Sequence, residues 1–154
     1  MGALVIGIGN AWRGDDAAGL AVARRLRGTL PAGAEVLERE GEPAGLIDAW
    51  ADAEAVWVVD AVRSGAEPGT LHRLDVADAE LPAELFGAST HHLGLAEAVE
   101  LARALGRLPR RLVVFGVEGA SFAVGDELSP QVEAAAGRAA DTIREEVRAC
   151  TSGR

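Results

Sequence analysis

One stretch, residues 3–23, reading ALVIGIGNAWRGDDAAGLAVA, constrains the fold more than any other part of the chain. Residues 3–8 are a continuous apolar run containing Val5, Ile6 and Ile8, which suits a strand buried on both faces, as in parallel α/β sheets. Gly7 and Gly9 are expected to let the backbone turn sharply. From Asp16 onward, Leu20, Ala23 and Leu26 recur at helical spacing. Asp15 and Asp16 fall at the start of that helix, where the macrodipole favours negative charge. Strand, turn and helix together lift two carboxylates to the C-terminal edge of a parallel sheet, the edge where open α/β folds place their sites.

A strand, a Gly-x-Gly and a helix also begin the dinucleotide-binding fingerprint, but the residues fit it poorly. Trp12 stands where the third glycine belongs, and Gly14 comes two residues late. A pyrophosphate would also meet Asp15 and Asp16 at the helix start, and carboxylates repel phosphate. Helix capping explains one aspartate of the pair and leaves the other without a purpose.

Composition removes further classes. At 154 residues the chain reads as a single domain, residues 1–154. A net charge of -9 argues against a nucleic-acid partner, because phosphate neutralisation needs clustered cations. All 15 basic residues are Arg, so a P-loop lysine, a Schiff base and a Ser-Lys dyad are absent together. Tyr is absent as well, so no phenol can act as an acid. Cys150 is the only cysteine, which leaves no internal disulfide, no thiolate zinc cluster and no activated thiol. No apolar run approaches the roughly 20 residues that span a bilayer, and no basic segment precedes the first strand. The protein is therefore expected to be cytoplasmic, with no membrane helix and no signal peptide.

Downstream, strands and helices alternate, the mark of an α/β fold. Residues 35–38 read as a short strand, followed by a loop around Gly41, Pro43 and Gly45 and a short helix at 46–50. Residues 55–59, AVWVV, are an apolar strand expected to end directly in Asp60, which a turn cap in the 60–69 loop would also explain. Residues 70–76 alternate as an edge strand does, and His72 within them is read as a surface residue outside the site. Residues 78–88 are acidic, Pro-broken and expected to be irregular. Ser89-Thr90-His91-His92-Leu93-Gly94-Leu95 opens a helix, with Ser89 or Thr90 as N-cap and Leu95, Ala98, Ala102 and Leu105 as its buried stripe. Residues 112–117, LVVFGV, form the last apolar strand, and 118–129 a loop expected to border a cleft. Ser129-Pro130 starts the final helix, with Val132, Ala136, Ile143 and Val147 facing inward and 151–154 as a frayed tail.

Gly7-Ile8-Gly9-Asn10, four residues, Asp15-Asp16, two residues and Gly19 resemble the opening signature of the hydrogenase maturation endopeptidases, which trim the C-terminal tail of the nickel-iron hydrogenase large subunit. The resemblance covers almost the whole chain. Asp60-Ala61, Pro68-Gly69-Thr70, the His91 segment, Gly116-Val117 and Leu128-Ser129-Pro130 follow in the family's order. It implies that the second acidic residue of the pair, here Asp16 where many relatives carry Glu, is a metal ligand. The other two ligands it implies are the strand-end Asp60 and His91, the histidine before Leu-Gly; His92 is next to it, and because adjacent residues point in different directions at a helix start, at most one of the two is expected to reach the same metal. Two carboxylates and one imidazole suit nickel, zinc or manganese and leave coordination positions open.

These readings lead to a single three-layer α/β/α domain with a twisted, mostly parallel five-stranded sheet. Its expected function is a nickel-dependent endopeptidase that removes the C-terminal extension of a hydrogenase large-subunit precursor. By resemblance the nickel arrives with the substrate, and zinc, cadmium or manganese can stand in for it; the roles of Asp16, Asp60 and His91 are both ligation and catalysis. The rival is a non-cleaving nickel-sensing checkpoint on the same fold. The site is expected to lie exposed in a cleft, so that Asp60→Asn keeps the fold. Metal binding is expected to weaken below about pH 6, because ligation needs neutral imidazole. Trp12, in a glycine-flanked turn beside the acidic pair, is either a partner anchor or a core contact over the first helix, with the turn at 11–13 and the loop at 118–129 framing a substrate groove.

Overall fold

In the computed structural model, which describes residues 2–76, 82 and 94–152, the apolar runs become the central strands of one sheet. β1 (Ala3–Ile8), β3 (Ala55–Val62) and β5 (Arg111–Glu118) are buried along almost their whole length. β2 (Glu35–Arg39) and β4 (Leu71–Asp75) are the less buried edges, giving the order β2-β1-β3-β5-β4. β2, β1, β3 and β5 run parallel, and β4 pairs antiparallel with β5.

Successive side chains on a strand point to opposite faces, so each central strand feeds two cores. Val5, Trp57, Val59, Val113 and Phe115 pack with α1 (Ala18–Leu26) and α4 (Pro130–Ser152) on one face. Leu4, Ile6, Val56, Val58 and Val114 pack with α2 (Pro43–Trp50) and α3 (Gly94–Leu105) on the other. One fully buried tryptophan anchors each core, Trp57 in the first and Trp50 in the second. Burying an aromatic or large aliphatic side chain contributes about 1.5–3 kcal/mol, so these alternating rows hold the three layers together. The expected α/β/α sandwich around a mostly parallel five-stranded sheet is the fold of this chain. Among the described residues no helix is long and apolar enough to cross a membrane.

Several local expectations change. Gly7 lies inside β1 rather than at its end, and neither it nor Gly9 has a positive φ. Their role is close approach: a Cβ on Gly7 would sit 2.2 Å from the Gly19 carbonyl oxygen, and one on Gly9 would sit 2.3 Å from that of Asp16. The acidic pair occupies a 3-10 turn, Gly14–Ala17, ahead of α1 instead of the helix itself. β3 does not stop at Asp60 but continues to Val62, because Ala61 and Val62 still find buried places, and Asp60 pairs in register with Gly116 of β5. On α3 the buried stripe is Leu95, Ala98, Val99 and Ala102, whereas Leu105 is exposed near the helix end. α2 starts earlier than expected, at Pro43, where the Glu42 side chain accepts from Gly45 N at 2.7 Å. α4 runs to Ser152, so the expected fraying at 151 is not seen. The irregular segment expected at 78–88 and the capping residues Ser89 and Thr90 lie outside the described residues, apart from Pro82.

Candidate functional site

The C-terminal edge of the parallel strands is built by three loops. The first follows β1. There Asp16 is almost fully buried, and its Oδ2 accepts from Asn10 N at 3.1 Å. Asn10 in turn accepts from Trp12 N through Oδ1 at 2.9 Å, so the turn at 10–13 is folded back upon the aspartate. α1 fits against the strands here because Gly19 has no side chain: a Cβ would lie 2.3 Å from both the Ile8 and the Val59 carbonyl oxygens.

Asp60 stands on the neighbouring strand. β1 and β3 are paired up to Gly7 and Val59, so Asp60 emerges one residue beyond the last pair, beside the start of the first loop. Its Oδ1 accepts from Ala61 N at 2.8 Å, and the residue is 1% exposed. The expectation of an open cleft at this residue is therefore wrong, and replacing Asp60 alters a buried polar group. Asp16, in the 3-10 turn that follows β1, and Asp60, in the adjacent strand β3, thus lie at one sheet edge. His91 and His92 lie outside the described residues. Among the described residues no three His, Cys, Asp or Glu side chains form a metal-holding group.

Two other carboxylates at this edge were not expected to matter. Asp15, fully buried, accepts four hydrogen bonds from the far loop: Ala120 N at 2.7 Å, Ser121 N at 3.0 Å, Ser129 N at 2.7 Å and Ser129 Oγ at 2.7 Å. Burial pushes its carboxyl up, but the donors from Ser129, Ser121 and Ala120 outweigh that and leave it below the usual aspartate value. Glu118, 1% exposed at the end of β5, does the same for the 63–70 loop. It accepts from Ser64 N at 2.7 Å, Ser64 Oγ at 2.6 Å and Gly65 N at 3.3 Å, and it pairs with His72 Nε2 at 3.1 Å. Burial again pushes up, and the Ser64, His72 and Gly65 contacts hold the carboxyl below its ordinary value. His72 is thus the half-buried partner of a buried carboxylate, a contact hidden from a sequence reading by its separation in the chain. The doubling of the aspartate was the one visible sign of Asp15, since a cap needs a single carboxylate.

Comparison with known proteins adds the decisive observation. The family model described as hydrogenase maturation protease, HycI, matches residues 22–146, a span that contains Asp60 and begins after Asp16. The chain belongs to the hydrogenase maturation protease family. HupD, a hydrogenase expression/formation protein of Thiocapsa roseopersicina, is 34% identical over 136 residues, covering 84% of this chain and 60% of that protein. The chain thus spans less than two thirds of that relative's length. The hydrogenase 2 maturation protease of Escherichia coli K12 is 33% identical over 138 residues, 87% of this chain and 83% of the relative. The solved structure of the hydrogenase maturating endopeptidase HybD from E. coli matches with a TM-score of 0.83 at 31% identity, over 96% of this chain and 93% of that one. Of these, the E. coli relative is a maturation protease and the E. coli structural neighbour a maturating endopeptidase.

Proposed function

We propose that this chain is the endopeptidase that removes the C-terminal extension of a nickel-iron hydrogenase large-subunit precursor. The observation that carries the reading is the pair of buried aspartates, Asp16 in the turn after β1 and Asp60 in the adjacent β3, at one sheet edge in a chain of this family. Two carboxylates at one sheet edge offer oxygen donors of the kind that take a divalent cation. Oxygen donors of this kind, completed by one imidazole, fit a divalent nickel that arrives seated in the precursor, or zinc, cadmium or manganese in its place. In this reading Asp16, Asp60 and His91 meet that metal. A metal in this position orients the scissile peptide and polarises its carbonyl. Asp16 is one methylene shorter than a Glu, and the 3-10 turn at 14–17 supplies its position from the backbone.

The test is the mass of a purified, nickel-loaded precursor before and after incubation with this protein. Shortening by wild type and none by Asp16→Asn is the expected result. Nickel-dependent binding without shortening would transfer the assignment to a non-cleaving checkpoint. In the same system, nickel affinity of wild type should fall below about pH 6, while His91→Gln should bind weakly with little pH response between roughly 5 and 7. A variant that keeps the full wild-type response excludes His91 as a ligand and points to His92.

A further inference from the structure

Trp12 is 77% exposed and Val124 is 72% exposed. Single exposed apolar residues are ordinary, but these two are joined: Gly125 N donates to the Trp12 carbonyl at 2.8 Å, which locks the tips of the 11–13 and 123–125 turns together. Trp12 is also held from the other side through Asn10, whose own N–H donates to Asp16. The indole therefore sits on a backbone fixed at both N–H and C=O, and it takes no part in either core. An aromatic that is pre-ordered and left in water has the character of an interface anchor, because little conformational freedom is lost when it is covered.

Beside it lies a cleft of about 220 Å³ lined by Gly9, Leu20, Trp12, Glu38, Arg39 and Glu40. Pockets for cofactor-sized ligands run to roughly 300–1,000 Å³, so this one suits a single side chain. Glu38 on its rim is neutralised by Arg24 and Arg27, at 3.1 and 3.0 Å, whereas Arg39 and Glu40, one charge of each sign, have no ion-pair partner among the described residues. Asp126 and Glu127 follow Val124 and are exposed. The hydrogen bonds run from Trp12 through Asn10 to Asp16, so a polypeptide seated on the indole is presented to the proposed cleavage site.

We infer that Trp12, Val124 and this cleft are the docking surface for the precursor polypeptide, taking one bulky apolar side chain beside the Trp12 indole. The inference rests on the endopeptidase reading. It is tested with the purified nickel-loaded precursor and the full-length protein, by cleavage kinetics and by direct binding. Trp12→Ala should raise KM about tenfold or more with kcat within about twofold, and Val124→Ala should raise KM less. Leu101→Ala on the outer face of α3 serves as the control and should leave both constants unchanged. Unaltered KM in Trp12→Ala, or a fall in kcat alone, would overturn the inference. So would a wild-type dimer that Trp12→Ala turns into a monomer, because the surface would then belong to a second copy. Failure of wild type to cleave removes the endopeptidase reading but not this test: docking is then judged by affinity, where a loss of about tenfold in Trp12→Ala supports it and equal affinity ends it.

Discussion

Asp15 and Asp16 are consecutive and both buried, yet their oxygens face different elements: Asp15 collects donors from residues 120–129, and Asp16 turns back to Asn10. Removing Asp15 leaves Ala120 N, Ser121 N and Ser129 N without their acceptor. Each orphaned buried donor costs about 1–3 kcal/mol, so Asp15→Ala should lose on the order of 3 kcal/mol of stability in urea unfolding. Asp16→Asn should lose far less, because the amide oxygen still accepts from Asn10, while cleavage of the precursor disappears. Equal stabilities for the two variants would refute this division of labour. The sequence displayed the pair but not the division, since the partners of Asp15 lie 105 to 114 residues away. The same distance effect hid Glu118, whose ties to Ser64 and His72 span 54 and 46 residues.

At the scale of elements, β1, β3 and β5 were legible because burial on both faces demands uninterrupted apolar runs, and Val5, Trp57 and Val113 could sit nowhere else. Boundaries were less legible. A carboxylate reads as the end of a strand, yet Asp60 lies within β3 because its backbone still pairs with β5. Leu105 fits the helical period of α3, but the helix ends there and leaves it in solvent. The contact between α1 and the sheet has no such tolerance. A methyl group at Gly19 would meet the Ile8 and Val59 carbonyls at 2.3 Å, and backbone cannot yield as a side chain does. Overpacking of this kind costs about 1–3 kcal/mol. Gly19→Ala should therefore lower Tm by at least about 3 °C and, by lifting the helix start that follows Asp16, reduce cleavage in the molecules that remain folded. A variant with wild-type Tm and activity would show that the helix has room to move.

Across the whole molecule, the parallel strands end at an edge whose two bordering loops are fastened by carboxylates. Glu118 holds 63–70, and Asp15 holds 120–129, where Phe122 and Leu128 are also packed against the core. Both groups have folded pKa values below their ordinary values of 3.8 and 4.5. A carboxyl whose pKa is lowered by folding contributes stability that is present above its unfolded pKa and is lost as pH falls through the folded one. As pH falls below about 4.5 for Glu118 and about 3.8 for Asp15, through their lower folded values, protonation should therefore loosen the two loops, while the apolar cores keep the sandwich closed. Trp57 Nε1 also donates to Glu146; burial pushes that carboxyl up, and Arg73, Trp57 and Arg111 hold it below its ordinary value. Hydrogen exchange followed at pH 6 and then at successively lower pH reads the loosening of the loops directly, after correction for the intrinsic rates. The amides of Ser64, Gly65, Ala120, Ser121 and Ser129 should lose protection first, and those of Val58 and Val114 last. Glu118→Ala removes the acceptor of Ser64 N and Gly65 N, so it should open the 63–70 loop already at neutral pH and leave 120–129 protected. Uniform loss of protection across loops and strands at low pH would show that the edge and the core unfold as one unit, and that these carboxylates stabilise the fold as a whole.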